Sequence, residues 1–461
     1  MSTVQTVDVS KIIDERPLSR FQIKVIVLCA AALFMDGFDV TAMGYVAPGL
    51  SKLWNLKPGA LGPVFGAGLF GLMVGALIFS PLSDRIGRKM VIATSAVLFG
   101  TFSLLTPFAD SLESLFWLRF ATGLGLGGAM PNAIALTSEF LPKRVRSTLT
   151  MVMFFGFSLG SGLGGAIAAQ LIRGYGWKSV FWFGGTIPLL LVPVLLLALP
   201  ESIRVLTLRG DAGARVAAFL TRIDPALRFD PANTRFVASD EHASKGFPVK
   251  LLFKDGRSLV TLLFWVMFFV NLLELYFLAN WLPTVAHNAG LSEQEALTAT
   301  GLIHIGGIFG TLVLGRLIDK TNPYVVLAVT YALGGVFVAC IGLATSGALQ
   351  LMSATFCAGF CIVGAQISAN ALAANYYPTV MRATGIGWAL GIGRIGSVIG
   401  PVVGGIVIGM QWATPTIFAV GALPTILATF AVLTVGRLVG GRTPSHPSEI
   451  GAEIATVAES E

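Results

Sequence analysis

The chain has 461 residues, of which 54% are hydrophobic and 12% charged, roughly half the charged fraction of an ordinary soluble domain. Mean hydropathy is +0.79 and glycine occurs 54 times. These values exclude a soluble globular enzyme and point to a polytopic helical membrane protein, in which glycine lets helices approach closely. The formal charge of +7 is spread over short loops between apolar runs, so it reads as a topology signal and no nucleic-acid partner is expected.

Residues 1–20 are polar with mixed charge from Lys11 to Arg20, so the first apolar run is expected to be a membrane helix and not a cleaved leader. Runs long enough to cross a bilayer, about 20 residues, are predicted at 21–47, 60–81, 90–108, 113–138, 147–172 and 178–199. Six more follow at 259–284, 297–317, 323–344, 349–374, 383–408 and 413–437. The stretch 200–258 is polar, carries Asp-Pro pairs at 224–225 and 230–231, and reads as a loop. The expected organisation of this all-α membrane protein is a segment 1–20, a six-helix bundle 21–199, a connecting loop 200–258, a second bundle 259–438 and a tail 439–461.

With the N-terminus in the cytoplasm and sides alternating, 25 of the 31 Lys and Arg residues fall on the cytoplasmic side. This bias puts both termini there. The other six are Lys52, Lys57, Arg119, Arg173, Lys178 and Arg394, and two of them, Arg119 and Arg394, lie inside predicted helices. The four cysteines, Cys29, Cys340, Cys357 and Cys361, sit in apolar runs; with no histidine or third thiol near the last two, packing is expected and no metal site.

The two halves repeat at a fixed offset. Leu82 and Asp84 recur 235 residues on as Leu317 and Asp319, and Pro142, Arg146 and Thr148 recur after 236 as Pro378, Arg382 and Thr384. Gly160, Ser161 and Gly164 match Gly396, Ser397 and Gly400, while Asp36, Asp39 and Pro48 meet Asn271, Glu274 and Pro283. Two repeated six-helix halves are a transporter architecture, with a binding site near the midplane between them.

The stretch "SPLSDRIGRK" resembles the loop motif G-x-L-x-D-R-x-G-R-K of the major facilitator superfamily: Leu82, Asp84, Arg85, Gly87, Arg88 and Lys89 match, and Ser80 stands where glycine is usual. The second copy keeps Gly315, Leu317 and Asp319 and loses the basic tail. Within that superfamily, Asp36-Gly37-x-Asp39 resembles the first-helix motif of the aromatic acid:proton symporters, together with "IDERPLSRFQ", "VAPGL", Arg119, Glu139 and His304. The resemblance covers the whole chain. It implies the major facilitator fold and import of a benzoate-like acid with protons across a bacterial inner membrane.

Asp36 and Asp39 lie in an otherwise apolar segment, where a carboxylate costs several kcal/mol. Two carboxylates three residues apart cannot both ionise cheaply in a low dielectric, which makes the pair a candidate proton carrier. The alternative is structural: one acid caps a break at Gly37 or pairs with an arginine. Arg119 and Arg394 each offer a planar fork for an anionic substrate's carboxylate, or else a fixed ion pair with Asp36, Asp39 or Glu274. Glu274 reads as a second protonatable group or an ion-pair partner, and His304 as a proton relay, a substrate contact or a hydrogen-bonded packing residue. Phe38, Tyr45, Tyr276 and Trp388 are candidates to line a slot for an aromatic ring, and Gln366 and Asn370 to meet a ring hydroxyl. Asp84, Arg85, Arg88, Glu139, Arg146, Asp319 and Arg382 form a candidate gating layer of ion pairs, or a plain topology anchor.

The expectation is proton-coupled uptake of a small aromatic carboxylate, with 4-hydroxybenzoate or protocatechuate first, by a monomer in the lipid bilayer with protons as the coupling ion and no other cofactor. No nucleotide fingerprint or catalytic triad stands out, so no enzyme is expected. The rivals are an importer of another organic anion such as muconate or a dicarboxylate, a drug exporter, and a membrane sensor that binds aromatic acids without flux. Gly164-Gly165, where facilitator exporters often carry Gly-Pro, weighs against the exporter.

Overall fold

A computed structural model describes residues 5–209, 213–229, 234–237, 249–254, 256–288, 290–344, 347–377 and 379–440. The first half holds α1 (Arg20–Leu53), α2 (Gly62–Ile86), α3 (Arg88–Leu105), α4 (Leu112–Phe140), α5 (Lys143–Tyr175) and α6 (Lys178–Ala198). The second holds α7 (Ser258–Asn288), α8 (Glu293–Lys320), α9 (Pro323–Leu343), α10 (Ala348–Tyr376), α11 (Thr379–Gly409) and α12, which is broken into Thr414–Gly421 and Leu423–Gly440. Eleven of these segments are long and apolar enough to cross a membrane. The other is α4, a helix of 29 residues that carries Arg119 and the acids Glu113 and Glu139.

Local chemistry sets the helix ends. Ser19 and Gln22 form a capping box at the start of α1, Ser111 and Ser114 at α4, and Ser292 and Glu295 at α8. Each box satisfies backbone N–H groups that an apolar surround would leave unpaired. Pro48, Pro81, Pro131, Pro283 and Pro401 lie inside helices, which membrane bundles tolerate because neighbouring groups re-satisfy the freed carbonyls. Trp281 Nε1 donates to the Pro401 carbonyl at 2.7 Å, which ties α7 to α11.

The sequence repeat is also a packing repeat. Gly71 of α2 seats on the Phe120 carbonyl of α4, and Gly306 of α8 seats on Phe356 of α10. Gly123 meets Gly68 as Gly359 meets Ile303, and Gly160 meets Phe34 as Gly396 meets Phe269. At all of these a Cβ would strike a backbone carbonyl, so glycine sets the helix spacing. Even the loop before the fifth helix of each half is fixed alike: Arg146 Nε donates to the Leu141 carbonyl and Arg382 Nε to that of Tyr377.

The halves meet at the face opposite the N-terminus. Gly44 of α1 packs on Ala279 and Asn280 of α7, Gly59 and Gly62 on Gly405 of α11, and Gly162 and Gly165 of α5 on Gly301 and Leu297 of α8. Phe65 sets its edge on Trp281 across the same seam, centroids 4.9 Å apart. Every described glycine that touches the opposite half lies in this far portion, so the cleft is shut at the far face.

The connection between halves is more ordered than a loop. A short helix, Gly213–Ile223, places Phe219 against Phe21 and Phe140, centroids 6.0 Å. Arg16 pairs with Asp224 at 3.1 Å, and the strands Gln5–Asp8 and Thr234–Val237 run parallel. The turn expected at 224–225 follows the helix, with Asp224 Oδ1 accepting from the Ala226 N–H. That at 230–231 lies outside the described residues, as do most of the tail 439–461 and the side chains of Asp84 and Asp319.

Candidate substrate and proton site

Helix α1 carries both acids through the middle of the first half, and the two are turned to different surroundings. Three residues rotate a helix by about 300°, so their directions differ by about 60°. Asp39 faces into its own bundle, where Arg119 Nη2 of α4 meets Oδ2 at 2.8 Å and Ser103 of α3 donates to Oδ1 at 2.9 Å. The same Nη2 also donates to the Asp39 carbonyl at 3.2 Å, and the guanidinium lies 5.5 Å from the Phe181 ring centroid. Arg119 is 4% exposed and Asp39 fully buried. This is a closed ion pair, and breaking such a pair costs about 3–5 kcal/mol because it strands the other charge.

Asp36 faces the other half. It is fully buried, and neither carboxylate oxygen has a hydrogen-bond partner among the described residues. The charges that act on it are those of Arg394, on α11, and of Asp39. Arg394 is half-buried and, among the described residues, has no carboxylate within ion-pairing distance; its guanidinium donates to Met130 Sδ of α4 at 3.6 Å. Arg394 and Asp36 both act on Tyr276 of α7. The result is an acid, a guanidinium and a phenol from both halves around one point of the cleft.

Other polar groups stand on the cleft wall. His304 of α8 is 5% exposed with Nε2 unpartnered. Gly37 seats on Phe157 and Ser161 of α5, and the next residue, Gly162, meets Gly301 and Ile305 of α8, so His304 stands at the depth of Asp36. On α10, Gln366 and Asn370 are half-exposed and occupy the sector between the residues that pack on α7 and those that pack on α8; Asn370 Oδ1 is unpartnered. Glu274 is 1% exposed with both oxygens unpartnered, inside the second bundle near Tyr331.

Three proposed ring-lining residues are placed elsewhere. Phe38 is packed inside the first bundle, its ring 5.2 Å from that of Phe183, because its direction on α1 points to α6. Tyr45 is fully buried and donates to the Ser161 carbonyl at 2.5 Å, bracing α1 on α5. Trp388 is 43% exposed and stacks on Trp265 at 5.7 Å. It shares a stripe with exposed Ile395, Ile399 and Ile406, seven, eleven and eighteen residues on, which is the outward face of α11.

Of the proposed gating groups, Arg88 and Glu139 belong to a layer within the first half. Arg88 of α3 meets Glu139 of α4 at 2.6 Å, Ser202 donates to Glu139 at 2.6 Å, and Glu201 accepts from the Lys89 N–H at 3.2 Å. Arg146 and Arg382 bind carbonyls of their own loops. Among the described residues no group of three His, Cys, Asp or Glu side chains could hold a metal ion. Sequence reading missed Ser103, Phe181, Met130 and Tyr331; their types are common in membrane helices, and only the three-dimensional neighbourhood marks them.

A family model described as "Major Facilitator Superfamily" matches residues 29–401 and 267–456. The chain is 42% identical over 439 residues to the "Gallate transporter" of Pseudomonas putida, covering 95% of this chain and 97% of that protein. It is 40% identical over 436 residues to the "4-hydroxybenzoate transporter PcaK" of Pseudomonas aeruginosa, covering 95% and 97%. In fold it is similar to the nucleoside transporter NupG, with a TM-score of 0.69 at 13% identity, over 90% of this chain and 100% of the other. With twelve long helices in two repeated halves, the chain is a multi-pass membrane transporter and not an enzyme: it belongs to the major facilitator superfamily, in the branch of the aromatic acid transporters.

Proposed function

We propose that this chain imports a hydroxylated benzoate, such as 4-hydroxybenzoate or protocatechuate, together with protons across a bacterial inner membrane, with both termini in the cytoplasm. The observation that carries the reading is the facing of an unpartnered acid, Asp36, and a guanidinium without an acid, Arg394, across the two halves. An aromatic carboxylate takes the fork of Arg394, with Tyr276 beside it. A proton on Asp36 removes the charge that would compete for that fork. The acid and the cargo are thus neutralised together, and the loaded halves rock without moving a bare charge through hydrocarbon. Asp39 and Arg119 keep their mutual pair and hold α1 at the right rotation. Positive-inside bias supports the orientation, and the relatives named for gallate and 4-hydroxybenzoate support the cargo class.

The test is uptake of labelled 4-hydroxybenzoate by purified carrier in proteoliposomes under an imposed pH gradient. Accumulation against a gradient is expected when the outside is acidic, and Asp36→Asn is expected to abolish accumulation while leaving downhill exchange. Normal accumulation in Asp36→Asn overturns the reading. Muconate and benzoate as competitors test the cargo, and ligand binding with no flux would mark a sensor.

A further inference from the structure

Glu274 is a fully buried membrane acid to which the scheme above gives no work. By the repeat it stands where Asp39 stands in the first half, and the position corresponding to Arg119 on α10 is Thr355. Thr355 is fully buried and spends its hydroxyl on the Leu351 and Met352 carbonyls of its own helix. The cation that closes the pair in one half is therefore absent in the other. Both Glu274 oxygens are buried and unpartnered, and no ion pair to Glu274 exists among the described residues.

The groups around it are few. From α9 comes Tyr331, fully buried with its hydroxyl also unpartnered and under the influence of Glu274. From α10 comes Cys361, which packs on Gly334 one turn from Tyr331. On the cleft side of α7 stand Arg394 of α11, Asp36 of α1 and His304 of α8, and the first two act on Tyr276, not on Glu274. The one basic residue described on α12, Arg437, is in its last turn. An ionised carboxylate with no cation and no donor is untenable in such a wall. A proton is the remaining way to neutralise it.

From the missing arginine and the orphaned carboxylate we infer that Glu274, with Tyr331 beside it, is a second proton-binding site, loaded in this far-face-closed state and discharged elsewhere in the cycle. This rests on the symport reading and deepens it, because it sets the stoichiometry. Two protons on a monovalent anion carry a net positive charge inward, so transport is driven by an inside-negative potential; one proton makes it electroneutral.

The experiment measures the proton-to-4-hydroxybenzoate ratio in proteoliposomes from the potential and pH gradient that exactly balance a fixed substrate gradient. The wild type is expected to give two and to respond to a potassium-diffusion potential at equal pH. Glu274→Gln is expected to give one and lose the potential response, and Glu274→Asp to keep both. A ratio unchanged in Glu274→Gln overturns the inference alone. A wild type coupled at one proton does the same, and this arm decides the matter even if the variants fail to insert. A wild type with no proton coupling at all overturns the symport reading as well.

Discussion

At the residue scale, the contrast is between a satisfied acid and an unsatisfied one on adjacent turns of α1. Asp39 has a guanidinium and a hydroxyl, whereas Asp36 has neither. Arg119→Leu should therefore destabilise the protein by about 3–5 kcal/mol, since it strands a buried carboxylate. Pairing it with Asp39→Asn should recover much of the loss. Thermal unfolding in detergent of the two single variants and the double variant checks this, and additive losses would refute the pair. Asp36→Asn should instead cost no stability, because a neutral amide replaces a group with no fixed partner. Arg394→Gln should raise KM for 4-hydroxybenzoate at least tenfold, as loss of a charge-assisted bidentate contact is worth about 1.5–3 kcal/mol. Arg394→Lys should recover only part of it, because a point charge cannot form the fork.

Helices in this molecule are spaced by glycine, and the same contacts recur in both halves. Gly123→Val and its counterpart Gly359→Val put side chains into the Gly68 and Ile303 carbonyls respectively. Each should lower the melting temperature, by an overpacking cost of about 1–3 kcal/mol. Similar losses in both would show that the two halves rely equally on this contact, and an unaffected variant would show that the helices yield there. The Arg88–Glu139–Ser202 layer ties α3, α4 and the chain after α6 into one body. Glu139→Gln is expected to loosen that face of the first half without changing substrate preference. All twelve predicted spans begin within four residues of the helices, and hydropathy alone located them. The connecting segment was misread, because its helix buries a single stripe with Phe219 against Phe21 and Phe140, a pattern that polar composition hides.

Across the whole molecule, transport by rocking requires the far-face seam to open. Gly62 and Gly405 approach closely there, the Cβ direction of each pointing within 3.3 Å of the other's Cα. A Gly62→Cys, Gly405→Cys pair lies within the reach of a disulfide. Oxidation should hold the seam shut and stop uptake, and a reductant should restore it. Undiminished uptake with the cross-link formed would rule out opening at this seam. External pH acts at the same scale. If Asp36 must be protonated from outside before the anion is carried, lowering the outside pH should raise the uptake rate at fixed substrate anion concentration, and Asp36→Asn should flatten the profile.

The amino-acid sequence by itself determined the membrane class, the twelve spans, the twofold repeat and the short set of charged residues in apolar runs. These follow from local hydropathy and from spacing, which neighbouring chain segments cannot alter. It also presented Asp36 and Asp39 as one pair and Arg119 and Arg394 as equivalent candidates. Tertiary structure divided them, giving Arg119 to Asp39 and leaving Asp36 without a hydrogen-bond partner, within the field of Arg394 from the other half. It took Phe38 and Tyr45 into the first bundle and Trp388 to the outer face. The reason is geometric: the direction of a side chain around a helix is fixed by sequence spacing, but what stands in that direction depends on how the other helices pack.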